Sequence, residues 1–114
     1  MQYKLKADKT ASQDLSAGAL SYTTNYTRAF KLEQILIKAS VNISEVITIT
    51  LDSASGASYD TVLDSATLEA ESDYVFRPSG QPNFQAGDEI KVQCTNANAT
   101  GVVKVIVKAS EILQ

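Results

Sequence analysis

Apolar and polar positions alternate with period two along most of this chain. In SEVITITLD, Ile47, Ile49 and Leu51 take one parity and Val46, Thr48 and Thr50 the other, the pattern of a half-buried antiparallel strand. After the small-residue turn SASGAS around Gly56, YDTVLDSATL resumes the alternation, with Tyr59, Thr61 and Leu63 opposite Asp60, Val62 and Asp64. The two segments predict a hairpin. In AFKLEQILIKAS, Phe30 and Leu32 share one parity while Ile35, Ile37 and Ala39 share the other. A parity switch inside one apolar run predicts a bulge or bend between Leu32 and Ile35, where both faces are buried.

ALSYT, from Ala19 to Thr23, reads as a further strand, and DYVFRP as one stopped by Pro78, because proline cannot donate to a ladder. SGQPNFQAGD is then a loop carrying turn residues at Gly80, Pro82 and Gly87. The runs DEIKVQCT and GVVKVIVKAS alternate cleanly through Ile90, Val92 and Cys94 and through Val103, Val105 and Val107, and the polar NANAT between them predicts a terminal hairpin. At the other end, Tyr3 and Leu5 suggest a short strand, followed by a polar stretch from Asp8 to Gly18 without period. Residues 1–16 are therefore expected as a mobile or partner-bound arm on a single domain spanning 1–114. Seven to eight short strands, with no segment of helical spacing, predict an all-β fold: one antiparallel β-sandwich, jelly-roll-like or a related arrangement of two sheets.

Composition supports this reading and narrows the chemistry. The 114 residues include nine Val, eight Ile and ten Thr against five Gly and two Pro, a strand-rich mix. There is no His, no Trp and one Cys, which removes Ser/His/Asp and Cys/His catalytic sets, His-ligated zinc and an intrachain disulfide. Cys94 shares a face with Ile90 and Val92, where a thiol behaves as a small core hydrophobe. The formal net charge is -3 with scattered basic residues, so no cationic footprint for nucleic acid is expected. No apolar run approaches the roughly 20 residues that span a bilayer, and MQYKLKADKT lacks the apolar core of an export signal. The Asn-x-Ser/Thr triplets at Asn25, Asn42 and Asn98 are accordingly read as chance matches.

The acidic residues Asp52, Asp60, Asp64 and Asp73 are the one set that invites a calcium or glycosidase reading. Their spacing matches no calcium-loop signature, and the scarcity of aromatics leaves no sugar-stacking platform. Asp52, Asp60 and Asp88 are instead expected to cap turns. No catalytic residue, metal ligand or cofactor site is assigned. Contact with a partner is the remaining use for exposed rings and adaptable polar groups. SYTTNYTR, from Ser21 to Arg28, has that composition. The contact candidates are Tyr3 and Leu5 on the arm and Tyr22, Tyr26 and Arg28 in this segment.

VITITLDSASGASYDTVLDSATL, then DYVFRPSG, then FQAGDEIKVQCTNANATGVVKVIV, resembles a group of small virion structural proteins of tailed bacteriophages. The likeness covers about Ile35 to Val107, and its most specific part is the pairing of LDS and YDTVL with the later AGDEI. The resemblance implies a non-catalytic β-sandwich present in many copies in the virion, assembled in the host cytoplasm. With sheet edges, an arm able to order on a neighbour and no chemical site, the expected role within such a particle is a capsid decoration or cement protein, homo-oligomeric, with capsid or other virion proteins as partners. The charge and hydropathy patterns leave neither nucleic acid nor membrane among them. The alternative is a tail-tip or fibre-associated module that binds host glycan. That reading requires Tyr59, Asn83, Phe84, Asn96 and Asn98 to converge on one loop end.

Overall fold

The structure, a computed structural model, describes residues 3–80 and 82–113, with the side chains of residues 3 and 4 outside the description. The described residues form ten strands: β1 (Tyr3–Lys6), β2 (Lys9–Asp14), β3 (Leu20–Thr23), β4 (Phe30–Ile43), β5 (Val46–Asp52), β6 (Thr61–Thr67), β7 (Glu71–Phe76), β8 (Asn83–Phe84), β9 (Glu89–Cys94) and β10 (Val102–Leu113). One sheet has the order β1-β10-β4-β7, with β2 also on β10 and β8 on β4; the other is β3-β9-β5-β6. Every pairing is antiparallel. Leaving out the short β1 and β8, the remaining eight strands in chain order pair first–eighth–third–sixth and second–seventh–fourth–fifth. That is the jelly-roll arrangement of two packed sheets, as the alternation predicted.

The inward faces meet in one core. Ile35, Ile37, Val103, Val105 and Val107 of the larger sheet face Ile47, Ile49, Ile90, Val92 and Cys94 of the smaller, all buried. Burial lifts the Cys94 thiol to a pKa of about 11, with the Glu45 charge adding to the shift, so it remains a core thiol. The bulge falls where parity switches. Lys108 pairs with Gln34 and Ala109 with Leu32, leaving Glu33 as the extra residue that lets both Leu32 and Ile35 point inward. Glu33 itself turns across β10, accepting from Lys6 Nζ at 2.9 Å and Ser110 Oγ at 3.2 Å. A second bulge at Leu63 brings Asp64 inward, where the Tyr74 hydroxyl donates to it and bridges the two sheets along the β6–β7 edge.

Two expectations change. β9 and β10 do not pair as a hairpin: β9 lies between β3 and β5, while β10 lies in the opposite sheet beside β4. Both strands bury one full face, and two such faces satisfy each other across the core rather than edge to edge. The arm also has a place in the fold. β1 pairs with the second half of β10 and β2 with the first half, so residues 3–14 border the chain's own last strand. The signal in β2 is weak because its half-buried positions are Lys9, Ala11 and Gln13 rather than large apolar side chains.

Glu45, between β4 and β5, is 2% exposed and holds the loop that carries β9 across to β10. Its carboxylate accepts from Thr95 Oγ1 at 2.8 Å, Ala97 N–H at 2.9 Å and Asn98 N–H at 2.8 Å. Gly101 completes this loop at φ 91°; a Cβ there would stand 3.0 Å from Val41 Cγ2. Desolvation raises the Glu45 pKa, but the hydrogen bonds from Asn98, Thr95 and Ala97 outweigh it and hold the carboxyl below its ordinary value of 4.5. A carboxyl depressed in the folded state stabilises the fold above its unfolded pKa, and that contribution is lost as pH falls through the folded value. Glu33 has the same sign, chiefly through Lys6. Urea midpoints should therefore be flat near neutral pH and fall below about pH 4.5. Glu45→Gln should remove about 1.5–3 kcal/mol at pH 7 and flatten the acid limb, because one acceptor is replaced by an NH2 group facing N–H donors.

Candidate interaction surface

The contact candidates are partly brought together, though by burial rather than as a free surface. Tyr3 is placed by its backbone in β1, opposite Leu113, and its side chain lies outside the described residues. Leu5 is 53% exposed on the same strand, opposite Glu111. Tyr22 is half-buried in β3 and packs against the core. Tyr26 is a core residue, 1% exposed, stacked on Phe30 with ring centroids 4.1 Å apart. Its hydroxyl donates to Ala7 O at 3.1 Å, so the arm and the Tyr22–Arg28 segment contact each other. Lys9 Nζ stands 5.4 Å from the same ring. Thr24 pins the segment's centre: its N–H donates to Ile90 O at 2.9 Å and its hydroxyl accepts from Ile90 N–H at 3.0 Å. Arg28 remains exposed beside the start of β4.

The acidic residues divide by role. Asp88 is buried and accepts from Ala54 N–H at 2.8 Å and Gln85 N–H at 3.0 Å, tying the β5–β6 turn to the β8–β9 turn. Asp60 accepts from Ser53 N–H at 2.8 Å within the former turn. Asp52, expected to cap a turn, instead ends β5 directly opposite Glu89 of β9. Among the described residues no three His, Cys, Asp or Glu side chains cluster as a metal site. The glycan set does not converge. Tyr59 and Asn83 lie near the end of the sandwich opposite Glu45, Phe84 tilts against Phe30 at 5.4 Å, and Asn96 and Asn98 belong to the loop at the Glu45 end.

The sequence reading missed the outer faces of the sheets. On the larger sheet, register places Thr10, Ile106, Leu36 and Val75 in one row across β2, β10, β4 and β7. Val75 is 43% exposed, and Leu36 and Ile106 are half-buried. The next row is Ser12, Lys104, Lys38 and Asp73, in which two exposed lysines face each other. Lys108 flanks the apolar row on its other side, opposite Gln34. On the smaller sheet Asp52 faces Glu89, and in the neighbouring row Val62, 60% exposed, lies opposite Thr50. Tyr59, 65% exposed, precedes that row. Like charges directly opposite are destabilising by an amount comparable to other cross-strand pairs, about 0.2–1 kcal/mol. The available signal was the apolar residues at both parities in ILIKA and VVKVIVK, which marks strands with little polar face.

The chain matches no protein-family model and no curated protein sequence. Among solved structures it is similar to the Drosophila NLP-core, whose crystal structure is described for pentamer formation and histone binding. The TM-score is 0.50 at 13% identity, over 95% of this chain and 99% of that one. A likeness at this identity shows a shared fold. A structure of infectious bursal disease virus, Gx strain, aligns at TM-score 0.26 and 12% identity, over 100% of this chain and 37% of that one, too loose to support an argument.

Core and surface candidates should separate cleanly by mutation. Tyr26→Ala should lower stability by about 3–5 kcal/mol in urea unfolding, through the lost ring packing. Arg28→Ala should change it by no more than about 0.5 kcal/mol.

Proposed function

We propose that this chain is a non-catalytic virion structural protein of the tailed-bacteriophage kind. In this reading it is a capsid decoration or cement protein that binds the outer head surface as a homo-oligomer and stabilises the shell. The observation that carries the reading is the outward apolar row Ile106–Leu36–Val75 with its flanking lysines. A sheet face that mixes apolar and charged side chains suits contact between neighbouring copies in an assembled protein. The rigid two-sheet frame supports such contacts, and many weak patches held in fixed geometry give high occupancy. The fold shared with a core domain described for pentamer formation is compatible with assembly of copies. Host-glycan binding has less geometric support, since its aromatic and amide residues are divided between opposite ends of the sandwich.

The test uses phage particles that lack the protein, incubated with the purified chain. Stoichiometric co-sedimentation and a raised melting temperature of the shell are expected. The stabilisation should approach about 2.7 kcal/mol per site at a free concentration about a hundred times Kd. Cryo-electron microscopy should then place density for the sandwich on the outer shell. Absence of binding would sink the cement role, and density confined to tail tip or fibres would transfer the chain to host recognition.

A further inference from the structure

The two outer faces carry like-charge pairs of opposite sign. We propose that these faces meet between copies: the larger sheet of one copy docks head-to-tail on the smaller sheet of the next. This inference rests on the part of the preceding reading in which copies contact one another, and it is independent of where in a particle they sit.

Lys38 and Lys104 stand directly opposite each other on β4 and β10, and Asp52 and Glu89 stand directly opposite each other on β5 and β9. Among the described residues the ion pairs are those of Lys6 with Asp8 and Glu33, so none of these four charges is paired within its own copy. Asp73 faces Lys38 from β7 without forming an ion pair, and Lys91 lies one row from Glu89. Each like-charge pair raises the energy of an isolated copy, and each is relieved by the other when the two faces adjoin.

Apolar surface lies beside both pairs. Leu36, Ile106 and Val75 form the row next to the lysines, while the row next to the carboxylates is Val62, Thr50 and Lys91, with Val62 60% exposed. Apposition of the lysine pair with the carboxylate pair sets the row of Val62, Thr50 and Lys91 toward the apolar row of the next copy, a mixed apolar and polar contact. The two faces lie on opposite sides of the sandwich, so the contact is heterologous. Repetition then runs in one sense and yields a ring or a chain of copies, not a twofold dimer.

The experiment is native mass spectrometry and light scattering on the purified full chain at low ionic strength. Assemblies larger than a dimer are expected, and they should dissociate as salt shortens the reach of charge to about 10 Å near 0.1 M. Lys38→Glu/Lys104→Glu and Asp52→Lys/Glu89→Lys should each weaken association by about tenfold or more while circular dichroism stays unchanged. Mixed in equal amounts, the two variants should reassemble with alternating masses, because each now supplies the charge the other lacks. Should either reversal fail to fold, Lys38→Gln/Lys104→Gln and Asp52→Asn/Glu89→Gln should give a smaller loss of the same sign. A monomeric wild type, a dimer alone, assemblies indifferent to these substitutions, or reversed variants that fold but stay apart when mixed would each overturn the proposal. Shell binding is not part of the readout, so failure here and failure of the cement role are separate results.

Discussion

The backbone around Ser44, Glu45 and the NANAT loop decides how one chain becomes two sheets. Four connections pass from sheet to sheet at this end, and each is tied here. The Glu45 carboxylate holds the β9–β10 crossing, while its carbonyl accepts from Leu68 N–H at 2.8 Å, fixing the β6–β7 crossing. Ala70 N–H donates to Ser44 Oγ at 3.0 Å in the same link. Asn96 Nδ2 donates to Leu15 O at 3.3 Å, which adds the β2–β3 crossing, and Glu45 itself sits in the β4–β5 crossing. A buried charge is tolerable only when its oxygens are filled, and here backbone N–H groups that would otherwise be orphaned fill them.

At the opposite end Asp88 plays a corresponding part for shorter turns, and Tyr26 links that end to the arm through Ala7. The sandwich is thus sealed at both ends by polar groups that accept from backbone. Its middle is left to aliphatic packing between the two inward faces. With the interior committed in this way, the variety in the molecule is displaced to the outer faces. There the register of strands distant in sequence sets which charges stand together.

Much of the fold was legible because alternation reports which side chains point inward. The strand at Val46–Asp52, the hairpin it makes with β6, the bulge at Glu33 and the core position of Cys94 all followed from parity. Parity does not report which sheet a strand joins. EIKVQCT and VVKVIVK looked like neighbours, and only Glu45, about fifty residues away from the loop between them, shows that they part. Tyr26 was misjudged because the polar residues around it masked a single inward ring. Of the interaction surface little was readable, since pairing Lys38 with Lys104 requires the register of β4 on β10.

The first two strands and the last one complete the same sheet edge, Tyr3–Lys6 and Lys9–Asp14 both lying along β10. Synthesis therefore delivers β1 and β2 long before their partner β10 exists. The larger sheet cannot close until Val102–Leu113 emerges, and loop closure over about a hundred residues must precede any reward from that pairing. Such topology belongs to the slow regime of folding, roughly milliseconds to seconds. It also brings the two ends of the described chain side by side, the arrangement in which joining them and reopening the chain at a surface turn leaves a sandwich intact.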